Sequence, residues 1–166
     1  MGKIKDFKSP SSSFTIKTEV VCPNDANPMD ILQGGRLVEW MDIGAAVCAQ
    51  THCGKICVTA SINHVDFYSA AKIGDIITIL ARITRAFNTS MEIYVHAFAR
   101  KVTSEKKYLV SKAYFTFVAL DDLGKATPII SVKPVSKEDK IQFDAALLRK
   151  ERIAKGKKKR HLMYHK

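Results

Sequence analysis

A carboxylate stands in the middle of the most apolar helical segment this chain can form. The run is Gly34-Gly35-Arg36-Leu37-Val38-Glu39-Trp40-Met41-Asp42-Ile43-Gly44-Ala45-Ala46-Val47. At 100° per residue, Asp42 falls on the stripe of Val38, Met41, Ala45 and Ala49. An isolated carboxylate there is expensive to desolvate unless it is paired, protonated or turned toward a small wet cavity. Sequences that break their own burial rule in this way usually do so at a working site. A second set of reactive side chains follows, Cys48-x3-His52-Cys53-x3-Cys57. Cys48 and His52 are one helical turn apart, the spacing of a metal pair. The set lacks a Cys-x2-Cys pair, however, and two of its members fall in an apolar run. Small buried cysteines are the expectation, without a metal.

The elements that must position Asp42 follow from periodicity. Residues 1–13 are basic and Ser-rich and read as a flexible N-terminal segment. Phe14 to Val21 alternates apolar and polar residues as a strand does. Pro23-Asn24-Asp25-Ala26-Asn27-Pro28-Met29-Asp30 is dense in turn-formers and reads as a loop. The helix of Asp42 begins between Ile31 and Gly35 and ends near Gly54. Its other face carries Trp40, Ile43 and Val47, so it is apolar almost all round and needs cover on most sides. Gly44, Ala45, Ala46 and Ala49 allow a sheet or a partner helix to come close.

Strands follow over Ile56–Phe67, Asp75–Arg85, Ser90–Arg100 and Tyr108–Leu120. Their alternating residues include Ile77, Ile79, Ala81 and Ile83, then Met91, Ile93, Val95 and Ala97, then Ala113, Phe115 and Phe117. A final amphipathic helix is expected over Ser136–Lys155. One strand, one long buried helix and a run of antiparallel strands make an α+β plan, with the sheet curved around the helix. The folded domain is expected over residues 14–135, followed by a C-terminal helix and basic tail over residues 136–166.

The bulk numbers exclude several classes. A chain of 166 residues with 46% hydrophobic content suits one folded domain. No apolar run reaches the roughly 18 residues of a membrane span, and no apolar signal segment opens the chain. A cytoplasmic protein is the expectation. The net charge of +11 is concentrated at the end: residues 149–166 hold nine Lys or Arg against one acid, leaving +3 on the body. A solvated tail explains this, and RNA binding would call for more interleaved aromatics than Tyr164. There is no Gly-x-Gly-x-x-Gly, Walker-type loop or Gly-x-Ser-x-Gly turn.

The ordered series Asn27…Gly34-Gly35…Trp40-Met41-Asp42, Val58-Thr59-Ala60, Val65-Asp66-Phe67, Ile73-Gly74-Asp75 and Thr89-Ser90-Met91-Glu92 resembles the hotdog-fold acyl-CoA thioesterases. Within them it is most similar to the YciA-type and brain-type cytosolic acyl-CoA hydrolases. The resemblance spans residues 17–120. It implies a hotdog fold, with an antiparallel sheet of five or more strands wrapped around a long central helix. It also implies dimers joined through sheet edges, assembling further as trimers of dimers. The implied reaction is hydrolysis of fatty acyl-CoA to free fatty acid and coenzyme A. No separate cofactor is implied, because coenzyme A is part of substrate and product.

The same resemblance distributes roles. Asp42 is the catalytic carboxylate, a general base toward water or a nucleophile that forms an anhydride. Asn27 matches a second catalytic position, its amide orienting the water or the carbonyl. Gly34 and Gly35 lie at the mouth of the helix, where unpaired N–H groups and a positive dipole suit an oxyanion. Val58, Thr59 and Ala60 would run beside the pantetheine arm. Asn88, Thr89 and Ser90 would meet the nucleotide, with Arg85 or Arg82 neutralising its phosphates. Phe67 and Met41 would line the acyl channel. Two departures stand out: many relatives carry Gly at the position of Asp30 and His at that of Gln33. Gln33 can donate a hydrogen bond but cannot serve as an acid at neutral pH. Asp30 adds a second negative charge near the site, and together with Gln33 it supports the alternative reading, a regulatory protein that binds acyl-CoA without turnover.

Overall fold

Two-residue alternation decides which way each strand faces, and the structure follows it. In the computed structural model, which describes the backbone of residues 7–164 and the side chains of residues 7–156, strands and helices occur in a fixed order. They are β1 (Phe7–Lys8), β2 (Thr15–Val20), α1 (Gly34–Cys53), β3 (Cys57–Phe67), β4 (Ile76–Ala86), β5 (Ser90–Arg100), β6 (Tyr108–Ala119), β7 (Ser131–Val132) and α2 (Lys137–Tyr164). Five strands form one antiparallel sheet in the order β2-β4-β5-β6-β3. Its inner face presents Ile77, Ile79, Ala81, Ile83, Met91, Ile93, Val95, Ala97, Ala113, Phe115 and Phe117, all buried against α1. Burial of each large apolar side chain contributes roughly 1.5–3 kcal/mol.

α1 answers with Leu37, Trp40, Met41, Gly44, Ala45, Cys48, Ala49 and His52. These recur at three- and four-residue steps, so one broad stripe faces the sheet. At Gly44 the helix and sheet meet closely: a Cβ there would lie 3.3 Å from Cγ2 of Ile79. Gly54 ends the helix with φ 65°, the left-handed cap that glycine takes without strain.

The structure corrects two expectations about α1. Trp40 is not on an outer face but buried, at 7% exposure, because the covered stripe is wide enough to include it. Ile43 and Val47 do remain exposed, at 43% and 46%. Asp42 does not share the buried stripe of Met41, Ala45 and Ala49. It sits with Val38 and Ala46 on the half-buried flank, 100° round from Met41.

The ends also differ from expectation. Phe7 and Lys8 pair in parallel with Ser131 and Val132, and Lys8 Nζ donates to the His52 carbonyl at 2.6 Å. His52 is fully buried with Nε2 3.0 Å from the Ile130 carbonyl, and burial pulls its pKa below the usual imidazole range. Residues 1–6 lie outside the described residues. At the other end, α2 continues through the basic segment, and Arg149 is not a solvated tail residue. Its Nε and Nη2 hold Glu92 of β5 at 2.9 and 2.7 Å. Together with Arg82–Asp139 at 2.6 Å, this pair clamps α2 across the outer face of the sheet.

Candidate functional site

Asp42 is two turns into α1, on the flank that faces the edge strand β3. Thr59 Oγ1 donates to Asp42 Oδ1 at 2.7 Å. A hydroxyl donating to a carboxylate makes a short, charge-assisted bond that fixes the rotamer and leaves the second oxygen as an acceptor. Among the described residues Asp42 joins no ion pair. It is thus half-buried, oriented and not neutralised by a cation, which is what a base toward water requires. Thr59, expected beside the pantetheine arm, meets Asp42 instead. Cys57 and Thr59 share a strand face turned to α1, and a register shift follows between Thr59 and Ser61.

The loop before α1 is built around two side chains. Asn27 Oδ1 accepts from the backbone N–H of Met29 at 2.9 Å and of Ile31 at 3.2 Å. Its amide oxygen is therefore committed to the loop, and what Asn27 offers a substrate is the Nδ2 donor. Asp25, buried, accepts from the Cys22 N–H at 3.0 Å and from Arg36 Nε at 2.8 Å. No local sequence pattern announces this tie between loop and helix. Gln33 Nε2 donates to the Ala26 carbonyl at 2.9 Å, so its side chain closes the loop and does not cap α1. The first-turn N–H groups, at Gly34 and Gly35, keep the positive end of the helix open.

Asp30 has φ 58°, a left-handed conformation that glycine adopts freely and that disfavours a side chain. This is the physical reason a relative would carry glycine there. Asp30→Gly is expected to raise the unfolding free energy by about 1 kcal/mol, read as a shift of the urea midpoint with an unchanged slope.

Beside the helix mouth lies an apolar cleft of ≈ 380 Å³, lined by Ile31, Leu32, Gly34, Leu37, Phe67 and Tyr68 among others. Phe67 closes onto Gly34, with its Cζ 3.2 Å from where a Cβ would stand. A side chain there would push the ring back by a few tenths of an ångström. Nothing lies within 4 Å of the equivalent point on Gly35. Phe67, expected in the acyl channel, lines this cleft, whereas Met41, expected there too, is sealed in the core.

The residues expected to hold the coenzyme divide into two groups. Ala60 and Ser90 line one pocket of ≈ 210 Å³ together with Ser61, Phe87 and, from α2, Lys150. Lys150 Nζ sits 3.7 Å over the Phe87 ring; nothing in its run of basic neighbours distinguished it beforehand. Asn88 and Thr89 form the adjacent hairpin turn, where Phe87 N–H donates to the Ser90 carbonyl at 2.7 Å. Val58 is exposed on the edge strand. Arg85 and Arg82 both contact α2, and Arg85 also lies 5.7 Å over the Phe87 ring that lines this pocket. Arg85 stacks 4.0 Å over Phe143 and donates to its carbonyl at 3.1 Å, and Arg82 pairs with Asp139. The structure does not bring either guanidinium to Asp42 or Gly34.

Gly34 and Asp42 are eight residues apart on one helix, about 12 Å along its axis at 1.5 Å per residue. A single thioester carbonyl cannot touch both within one copy of the chain.

Comparison with known proteins agrees with this architecture. Residues 29–106 match the thioesterase superfamily. The chain is 35% identical to mouse acyl-coenzyme A thioesterase 11 over 80% of its own length, and spans 22% of that relative's. Acyl-CoA hydrolase from Staphylococcus aureus, solved in complex with butyryl coenzyme A, coenzyme A and coenzyme A disulfide, superposes with a TM-score of 0.87 at 36% identity. The match covers 95% of this chain and 98% of that one. The same enzyme has been solved as alanine variants of an aspartate, a threonine and an asparagine. An apo-hexameric acyl-CoA thioesterase superposes with a TM-score of 0.86 at 34% identity, over 89% of this chain and 95% of that one. The chain belongs to the thioesterase superfamily and has its hotdog fold.

Proposed function

We propose that this chain hydrolyses acyl-CoA thioesters to free acid and coenzyme A, and that it does so as a homo-oligomer whose paired copies share each site. The observation that carries the reading is Asp42, half-buried, oriented by Thr59 and, among the described residues, in no ion pair. An Asp, a Thr and an Asn are the residues altered in the Staphylococcus aureus hydrolase. This chain has those types at Asp42, Thr59 and Asn27.

In the proposed reaction Asp42 takes a proton from water as the oxygen attacks the thioester carbon. The carbonyl oxygen gains charge and is held by N–H groups of the Gly34–Gly35 helix mouth and by the Asn27 amide. The carbon–sulfur bond then breaks, and the coenzyme A thiolate leaves and recovers the proton. Water is the only co-substrate, and no separate cofactor enters. The acyl chain lies in the cleft under Phe67. Thr59 keeps the base aimed, while Ala60, Ser90 and Lys150 offer a pocket for part of the coenzyme.

The 12 Å gap between Gly34 and Asp42 is closed if β3 strands of two copies pair, so that the base of one copy meets the helix mouth of the other. The edge supports this: Val58 and Ile62 are exposed on β3, and Ile43 and Val47 on α1, with no charge on β3 until Asp66. Unprotected edges of this kind invite strand pairing. A trimer of such dimers is the assembly we favour, given the hexameric neighbour. No helix among the described residues is long and apolar enough to cross a membrane. Four free cysteines suit the reducing cytoplasm, where we place the protein.

The test is thiol release by the purified full chain from saturated acyl-CoAs of graded length, with light scattering for mass. Turnover by a species of two or more copies supports the reading. Tight acyl-CoA binding without thiol release would replace the hydrolase with the regulatory protein.

A further inference from the structure

Two thiols meet where α1 hands over to β3, and the proposed hydrolysis uses neither. Cys53 ends the helix and Cys57 opens the strand, with Gly54, Lys55 and Ile56 between them. Their sulfurs are 3.2 Å apart, and both point to the same acceptor, the Lys55 carbonyl, at 3.6 and 3.5 Å. Both side chains are half-buried against the core. The other two cysteines have no sulfur partner: Cys48 is buried with its thiol toward Ser13 Oγ at 3.8 Å, and Cys22 is exposed.

We propose that Cys53 and Cys57 are a redox-active pair that closes reversibly into an intramolecular disulfide under a peroxide oxidant. A disulfide needs its sulfurs at about 2.05 Å, so the existing contact must shorten by roughly 1.2 Å. Rotation about the side-chain bonds of two residues flanking a glycine-capped turn can supply that. The Cys53 thiol releases its proton and its sulfur attacks one peroxide oxygen; the O–O bond breaks, the departing hydroxide takes up that proton as water, and Cys53 becomes a sulfenic acid. Cys57 loses its proton and attacks that sulfur, the S–O bond breaks, and water leaves. One peroxide is reduced to two waters, and two thiols are oxidised to one disulfide.

The order of attack follows from the surroundings. Burial, together with the hydrogen bond and charge of Cys53, pushes the Cys57 thiol up to about 12. Cys57 is therefore the thiol that holds its proton longer, which suits it to the second step and leaves the first to Cys53. Dithiol pairs of this kind in reducing compartments are characteristically transient and redox-sensing. The pair also lies on the two elements that bring Asp42 and Thr59 together, so closure would reposition the α1–β3 turn at its root. The proposal concerns sulfur chemistry alone and stands whether or not the chain is a hydrolase.

The experiment treats reduced, full-length protein with a few equivalents of hydrogen peroxide, then counts free thiols after denaturation and maps peptides. Two of the four thiols should disappear, a Cys53–Cys57 cross-link should be found, and dithiothreitol should restore all four. The Cys57→Ser protein should instead accumulate a dimedone-reactive sulfenic acid on Cys53. Four surviving thiols, a cross-link to Cys22 or Cys48, or unlinked sulfinic acid at Cys53 in the native chain would each overturn the proposal. The peptide map of the unaltered protein decides even if the serine variant folds poorly.

Discussion

Asp42→Asn should reduce thiol release at least about 100-fold, the scale of losing a general base, while the melting temperature stays close to that of the parent. Asparagine keeps the shape and can still accept from Thr59, so only proton abstraction is removed. Thr59→Val should cost less, about 10-fold, because it frees the base without deleting it. Thr59→Ser should restore most of the loss, since the hydroxyl returns. In the Asp42→Asn background, Thr59→Val should add little, as residues acting through one interaction are not additive. Equal rates for the parent and Asp42→Asn would remove Asp42 from the mechanism. Mixing tests the shared site separately. Asp42→Asn copies and Asn27→Ala copies, each poorly active alone, should regain activity when reassembled together, because each mixed pair contains one intact constellation. No recovery would confine each site to a single chain.

The second large effect concerns stability. Glu92 and Arg149 are both mostly buried, with side-chain exposures of 7% and 15%. Their bidentate pair is completed by Thr84 and by Tyr114, whose ring lies 3.9 Å beneath the guanidinium. Replacing one member strands the other. Arg149→Met should destabilise the fold by about 3–5 kcal/mol, a drop in melting temperature of roughly 10 °C for a chain of this size. Adding Glu92→Leu should return much of that stability, because two apolar groups no longer leave a charge without a partner. If Arg149→Met melts within a degree of the parent, α2 is held by something other than this clamp.

Those two effects differ in how visible they are in the sequence. The strands are readable because a period of two is a strong signal over eleven residues, as in Ile76–Ala86. The helix was readable because its apolar run is bounded by a Gly pair and Gly54. Asp42 drew notice for a sound reason, the cost of an unpaired acid among apolar neighbours, although it stands on the flank and not in the core. Trp40 was misjudged because a helical wheel does not say how wide a stripe the sheet will cover. Thr59 and Asp42 are 17 residues apart and meet only when β3 packs beside α1, so no local pattern announces their bond. Arg149 looked like one more basic residue in a solvated run, and only the outer face of the sheet distinguishes it. The parallel contact of β1 with β7 involves two residues a side, too few for any periodicity to register. The departure at Asp30 was noticed as a matter of charge, whereas its structural meaning is a backbone torsion.

The hydroxyl that aims Asp42 hangs from an outermost strand, and this bears on when the protein is competent. In the proposed shared site, a freshly synthesised chain would carry its acid beside an open border, opposite no helix mouth. Competence would arrive only when two such borders meet, so the amount of active catalyst would rise with roughly the square of chain concentration at low abundance. Solitary copies would leave the thioester pool untouched.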